Sequence, residues 1–122
     1  MILVDTSVWI DHLRKGEDRL QSLLKSNQVL SHAFVIGEVA MGSFKQRGLI
    51  LDGLRNLPQA TIAEDDEVLE FISRQTLFGT GIGYIDVHLL AAVRLTPGAL
   101  LWTRDKRLKE IAEGLSLAAP ES

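Results

Sequence analysis

Of the 16 acidic residues in this chain, four stand where a carboxylate is costly. Asp5 is the only charged residue among the first ten, Glu38 the only one between Phe34 and Phe44, and Asp86 the only formal charge between Gly79 and Val93. Asp105 comes just after Ala99-Leu100-Leu101-Trp102-Thr103-Arg104, whose apolar part reads as a buried strand. An ionised carboxylate withdrawn from water needs a cation, a set of donors or a proton. Taken one at a time, each acid has a local explanation: Asp5 and Asp105 as helix N-caps, Asp86 as a first-turn acid, Glu38 as the partner of an arginine. A single divalent cation accounts for all four together. Mg²⁺ and Mn²⁺ prefer carboxylate and water oxygens, and a cation held this way acts as a Lewis acid and activates water. The other acids, such as Glu17, Asp18, Glu110 and Glu113, lie in polar surroundings and read as solvated helix faces. Asp11 lies close to Asp5 and reads as a helix-surface residue.

Other chemical candidates are weaker. His12, His32 and His88 have no zinc-motif spacing and read as surface or partly buried side chains. Gly79-Thr80-Gly81-Ile82-Gly83 lacks both the dinucleotide-loop spacing and a Walker lysine, which leaves it as a lip to a site. Arg104, Lys106, Arg107 and Lys109 follow or flank Asp105, where Arg104 or Lys106 would reach a phosphate. The absence of cysteine excludes thiolate metal sites and a cysteine nucleophile, and it suits a reducing cytoplasm.

The elements that must carry the acids follow from hydrophobic patterning. Apolar runs at 2–4, 28–31, 60–63, 99–102 and 115–117 read as strands. Helical stretches are expected at 8–14, 17–26, 33–46, 49–57, 65–76, 84–95 and 106–113. Strands alternating with helices predict an α/β three-layer sandwich, with a central, mostly parallel sheet of about five strands. In such a sheet the strand ends converge on one edge, where ligands bind. Asp5 and Asp105 fall just beyond strands and Asp86 in a first helical turn, so these three can meet there, with Glu38 joining from its own helix.

The 122 residues suit a single domain spanning 1–122. The 46% hydrophobic and 24% charged composition is that of a folded globular chain. No signal-peptide pattern opens the sequence, and no uncharged stretch reaches membrane-spanning length. A net charge of −3 argues against a broad basic nucleic-acid surface, yet without the four acids the remainder is close to neutral.

Four segments also carry a family likeness: Asp5-Thr6-Ser7-Val8-Trp9-Ile10, Gly37-Glu38-Val39-Ala40-Met41-Gly42, Ile82-Gly83-Tyr84-Ile85-Asp86 with Leu89-Leu90-Ala91-Ala92, and Leu101-Trp102-Thr103-Arg104-Asp105. In this order they resemble the PIN-domain ribonucleases, and within them the VapC toxins of toxin–antitoxin pairs. The resemblance implies a Mg²⁺- or Mn²⁺-dependent endoribonuclease whose metal-binding and catalytic set is Asp5, Glu38, Asp86 and Asp105. Thr6, Ser7, Thr103 and Arg104 would position metal or substrate. It further implies RNA as substrate, products with 3′-hydroxyl and 5′-phosphate ends, a cognate antitoxin protein and a homodimer. An apolar groove for the antitoxin is expected around Trp9, Leu20, Leu24, Leu51 and Leu54. The rival reading is a receiver-like phosphoacceptor domain with an acidic Mg²⁺ pocket. Such domains place adjacent acids after the first strand, and here Asp5 is followed by Thr6.

Overall fold

The computed structural model describes residues 1–120. Three parallel strands form the sheet in the order β2-β1-β3: β1 (Ile2–Val4), β2 (Val29–Leu30) and β3 (Leu100–Trp102). Leu3, Val4, Val29 and Leu101 are wholly or almost wholly buried, as expected of a sheet covered on both faces. Among the described residues seven helices surround it: α1 (Thr6–Lys15), α2 (Asp18–Lys25), α3 (Ala33–Ala40), α4 (Arg47–Asn56), α5 (Asp65–Arg74), α6 (Tyr84–Leu95) and α7 (Lys106–Gly114).

The expectation of about five strands needs correcting to three. Gln59 and Ala118 continue the sheet on its two edges, but each through one parallel bridge, to Ser31 and Leu101. On the first edge Pro58 has no N–H to extend a ladder, so only its carbonyl is used, accepting from Ser31 N at 2.8 Å. The chain then leaves the sheet, and Ile62 is left 48% exposed where a buried strand was expected. On the other edge α7 runs on to Gly114, and Ser116 adopts a left-handed φ of 60°, so the bridge forms later, at Ala118. α3 is also shorter than expected. It stops at Ala40, and Gln46 takes a left-handed φ of 57° before α4 begins.

From β1 the chain moves through β2 to Gln59 on one side, then returns to β3 and Ala118 on the other. With right-handed crossovers that reversal puts α1–α4 over one face and α5–α7 over the opposite one. The packing agrees: α1 meets α3 and α3 meets α4, whereas α5 packs on α6 and α6 on β3. Residues 87–93 of α6 are all buried, which makes it the central helix of its layer. The point of reversal lies between β1 and β3, and a crevice outside the carboxyl ends of those strands is where such folds bind ligands.

Candidate active site

Asp5 and Asp105 both sit at this crevice as N-caps, each held by the fold's need to satisfy free helix-terminal N–H groups. Asp5 caps α1 and Asp105 caps α7, where Leu108 N donates to Asp105 Oδ1 at 2.9 Å. Their local explanations are therefore correct as far as they go, and they position the side chains.

Two hydroxyl relays weld the two strand ends together. Ser7 Oγ and Thr103 Oγ1 donate to Asp5 Oδ2 at 2.7 and 2.8 Å. Ser7 Oγ in turn accepts from Arg104 N at 3.0 Å, and Thr103 Oγ1 from Asp105 N at 3.1 Å. Asp5 is only 6% exposed and Thr103 5%, so these bonds supply the donors a buried carboxylate requires. From α3, Glu38 Oε1 accepts from Thr6 Oγ1 at 2.8 Å. Asp86, in the first turn of α6, accepts from Gly83 N through Oδ2 at 3.4 Å.

In all four acids the bonds from protein donors fall on one oxygen. Among the described residues no donor reaches Asp5 Oδ1, Glu38 Oε2, Asp86 Oδ1 or Asp105 Oδ2. The four also share one electrostatic field. The Asp86 carboxyl is pushed up to about 6, first by burial and then by Asp5, Asp105 and Glu38, against a lowering by the Gly83 N–H. Four oxygen donors fixed through one oxygen and open at the other suit a hard divalent cation. Among the described residues no three acidic or histidine side chains converge into a ready-made cage. Mg²⁺ tolerates such a loose cluster, because it usually keeps several waters and takes only one or two carboxylates directly.

Arg104 turns elsewhere. Its Nη1 donates to Asp11 Oδ2 at 2.5 Å and Glu17 Oε1 at 2.7 Å, and these bonds raise the guanidinium's already high pKa while lowering both carboxyls. This partner of Asp11 was not foreseen; nothing in the spacing joins residue 11 to residue 104. Two of the three histidines also differ from expectation, while His12 is partly buried as expected. His32 is fully buried and His88 only 2% exposed. His32 Nδ1 caps α3 by accepting from Phe34 N at 3.0 Å, and burial next to His88 lowers its pKa to about 4. His12 Nδ1 accepts from Glu17 N at 3.0 Å.

The match to the PIN domain family model runs over residues 2–114, which takes in all four acids and all three strands. The chain belongs to the PIN-domain family. It is 51% identical over 120 residues to Ribonuclease VapC32 of two Mycobacterium tuberculosis strains, CDC 1551 / Oshkosh and ATCC 25618 / H37Rv, and the alignment covers 97% of each chain.

Proposed function

We propose that this PIN-domain protein is a metal-dependent endoribonuclease, the VapC-type toxin of a toxin–antitoxin pair, with Asp5, Glu38, Asp86 and Asp105 as its metal-binding and catalytic set. The observation that carries the reading is the shared design of the acids, each restrained through one oxygen with no protein donor on the other among the described residues, together with the electrostatic coupling of Asp86 to Asp5, Asp105 and Glu38. Likeness to a ribonuclease along 97% of both chains supports RNA as the substrate. The cation, Mg²⁺ or Mn²⁺, supplies Lewis acidity toward the phosphodiester and a nucleophilic water at neutral pH.

The protein's own contribution is restraint. Ser7 and Thr103 hold the Asp5 carboxylate, and Thr6 holds Glu38, so that neither must reorganise when substrate arrives. Burial and the neighbouring carboxylates of Asp5, Asp105 and Glu38 push the Asp86 carboxyl up to about 6, a repulsion that a bound divalent cation would relieve. A hydrolytic water in place of the substrate 2′-hydroxyl forms no cyclic phosphate, and the family likeness implies that the P–O3′ bond is the one broken, with the 3′-oxygen leaving as a hydroxyl and the phosphate staying on the 5′ end.

A cognate antitoxin and a second copy of this chain are the partners the reading requires. An apolar cleft of about 250 Å³ between α1, α2 and α4 includes Trp9, Leu13, Leu24, Leu49 and Ile50, and Leu49 is 67% exposed. Leu20, expected in the groove, is instead fully buried core, as Leu51 largely is. An antitoxin segment laying an apolar face into this cleft would use helix-in-groove packing. No helix among the described residues is long and apolar enough to cross a membrane, and the cytoplasm, where RNA is the substrate, is the compartment we assign.

The test is incubation of purified protein with mixed RNA and Mn²⁺, with and without excess EDTA, followed by end-labelling. Cleavage confined to the Mn²⁺ samples and 5′-phosphate ends are expected. Cyclic 2′,3′-phosphate ends, or undiminished cleavage in EDTA, would defeat the proposal.

A further inference from the structure

Beside the acids lies a cleft of about 440 Å³ of the opposite character. Its lining includes Glu17, Arg19, Trp102, Thr103, Arg104 and Lys106. Thr103 belongs to both places, since its hydroxyl holds Asp5, and Lys106 is the residue after Asp105. A strand whose phosphodiester lies at the acids therefore has this cleft as its immediate neighbour.

The cleft's charge is not spread evenly. Arg104 is matched by Asp11 and Glu17 and serves to fix the wall. Among the described residues no carboxylate pairs with Arg19 or Lys106, so the available positive charge resides there. Arg19 is also ordered. Its guanidinium lies 4.5 Å from the centroid of the Trp102 ring, and its Nη2 donates to the Pro120 carbonyl. A guanidinium held over an indole and tied to a backbone carbonyl loses little freedom when a further ring stacks on it. Nucleobases stack on arginine planes in this way, while a lysine serves the phosphate as a point charge. The volume suits a nucleotide-sized ligand. The site itself gives the cleft a purpose: in a chain of net charge −3, a cationic surface beside the carboxylates adds to the bound cation in drawing in a polyanion.

We propose that this cleft seats one nucleotide of the RNA next to the cleaved bond, with its base stacked on the Arg19–Trp102 pair and its phosphate on Lys106. The assignment rests on the ribonuclease reading above and deepens it by giving the substrate strand a path and a specificity subsite.

Kinetics and binding on the 122-residue chain separate the two. The variants are Lys106→Gln, Arg19→Ala, Arg19→Lys and, as a control, Lys25→Gln, which removes an exposed α2 cation outside the cleft. With a mixed-sequence RNA of about twelve nucleotides, K106Q is expected to raise KM several-fold with kcat within about twofold, and to lower the salt slope of binding by about 0.7, the share of one single-strand phosphate. R19A raises KM about tenfold. R19K restores the salt slope but not KM, because the charge returns without the plane. K25Q matches the wild type. Fluorescence anisotropy of labelled RNA on an Asp105→Asn background reads the same affinities and slopes without cleavage. Should the Arg19 variants unfold, K106Q decides alone, since Lys106 is an exposed residue at a helix start. A wild type that cleaves RNA alongside a K106Q with unchanged KM and salt slope overturns the subsite and leaves the ribonuclease intact. A wild type that cleaves no RNA with Mn²⁺ overturns both.

Discussion

Replacing Asp86 by asparagine removes one charge from the crowded crevice while keeping an oxygen that can accept from Gly83 N. In the wild type, the folded-state pKa of about 6 exceeds the ordinary value of 3.8, so the folded form holds this proton more tightly than the unfolded chain. Its stabilising effect is complete below the ordinary value and is lost as pH rises through about 6. The full difference corresponds to about 3 kcal/mol at neutral pH. Solvent screening at this partly exposed side chain reduces it to about 1–2 kcal/mol. Asparagine also forfeits the favourable charge at the start of α6, about 0.3–1 kcal/mol. Relief of repulsion wins, so D86N in EDTA at pH 7 should be more stable than wild type by about 1 kcal/mol, or roughly 3–5 °C in Tm. The assay is a set of thermal melts from pH 4 to 8, taken as the difference between the two proteins, so that titrations common to both cancel. That difference should be near zero or reversed at pH 4 and grow toward pH 7. Mn²⁺ should raise the wild-type Tm more than that of D86N, because it binds only the folded site. A variant that melts below wild type at every pH in EDTA, with no shift of either curve on adding Mn²⁺, would refute the shared-cluster argument.

Three further outcomes follow from the geometry. Thr103→Val removes a 2.8 Å bond to the buried Asp5 carboxylate and should cost about 1.5–3 kcal/mol in urea melts, with a marked fall in RNA cleavage. Gly81→Ala places a methyl group against the Arg107 guanidinium at a φ of +88°, so it should lower Tm, with a loss of about 1 kcal/mol or more. Arg104→Ala releases the Asp11 and Glu17 carboxyls to their ordinary range. Wild-type stability that is present above that range and lost as pH falls should then vanish from the acid limb of the stability curve, as measured by melts between pH 2 and 5.

Much of this arrangement was legible in the chain. A single charge inside an apolar run singles out Asp5, Glu38, Asp86 and Asp105, although each also has a local explanation, and β1, β3 and α6 are readable from continuous apolar segments. The caps at Asp5 and Asp105 turned out to be compatible with a site rather than rivals to it. What stayed hidden depended on long-range contacts. The edge strands collapse to single bridges because Pro58 and the left-handed Ser116 interrupt them, which hydrophobicity alone does not register. The Arg104 pairing with Asp11 and Glu17, 93 and 87 residues away, and the contact of Arg19 with Trp102 join segments far apart in the chain, beyond any helical or strand periodicity. The burial of His32 and His88 is not written in their local sequence, since a histidine's burial depends on what the tertiary fold packs over it.

The central claim, that four carboxylates form one metal site, is tested most directly by anomalous diffraction from a crystal soaked in Mn²⁺. The account predicts a manganese peak in the crevice beyond β1 and β3, within coordination reach of Asp5 and at least one of Asp86, Asp105 and Glu38, directly or through ordered water. A well-diffracting soaked crystal with no manganese there, or with manganese bound only elsewhere, would contradict it.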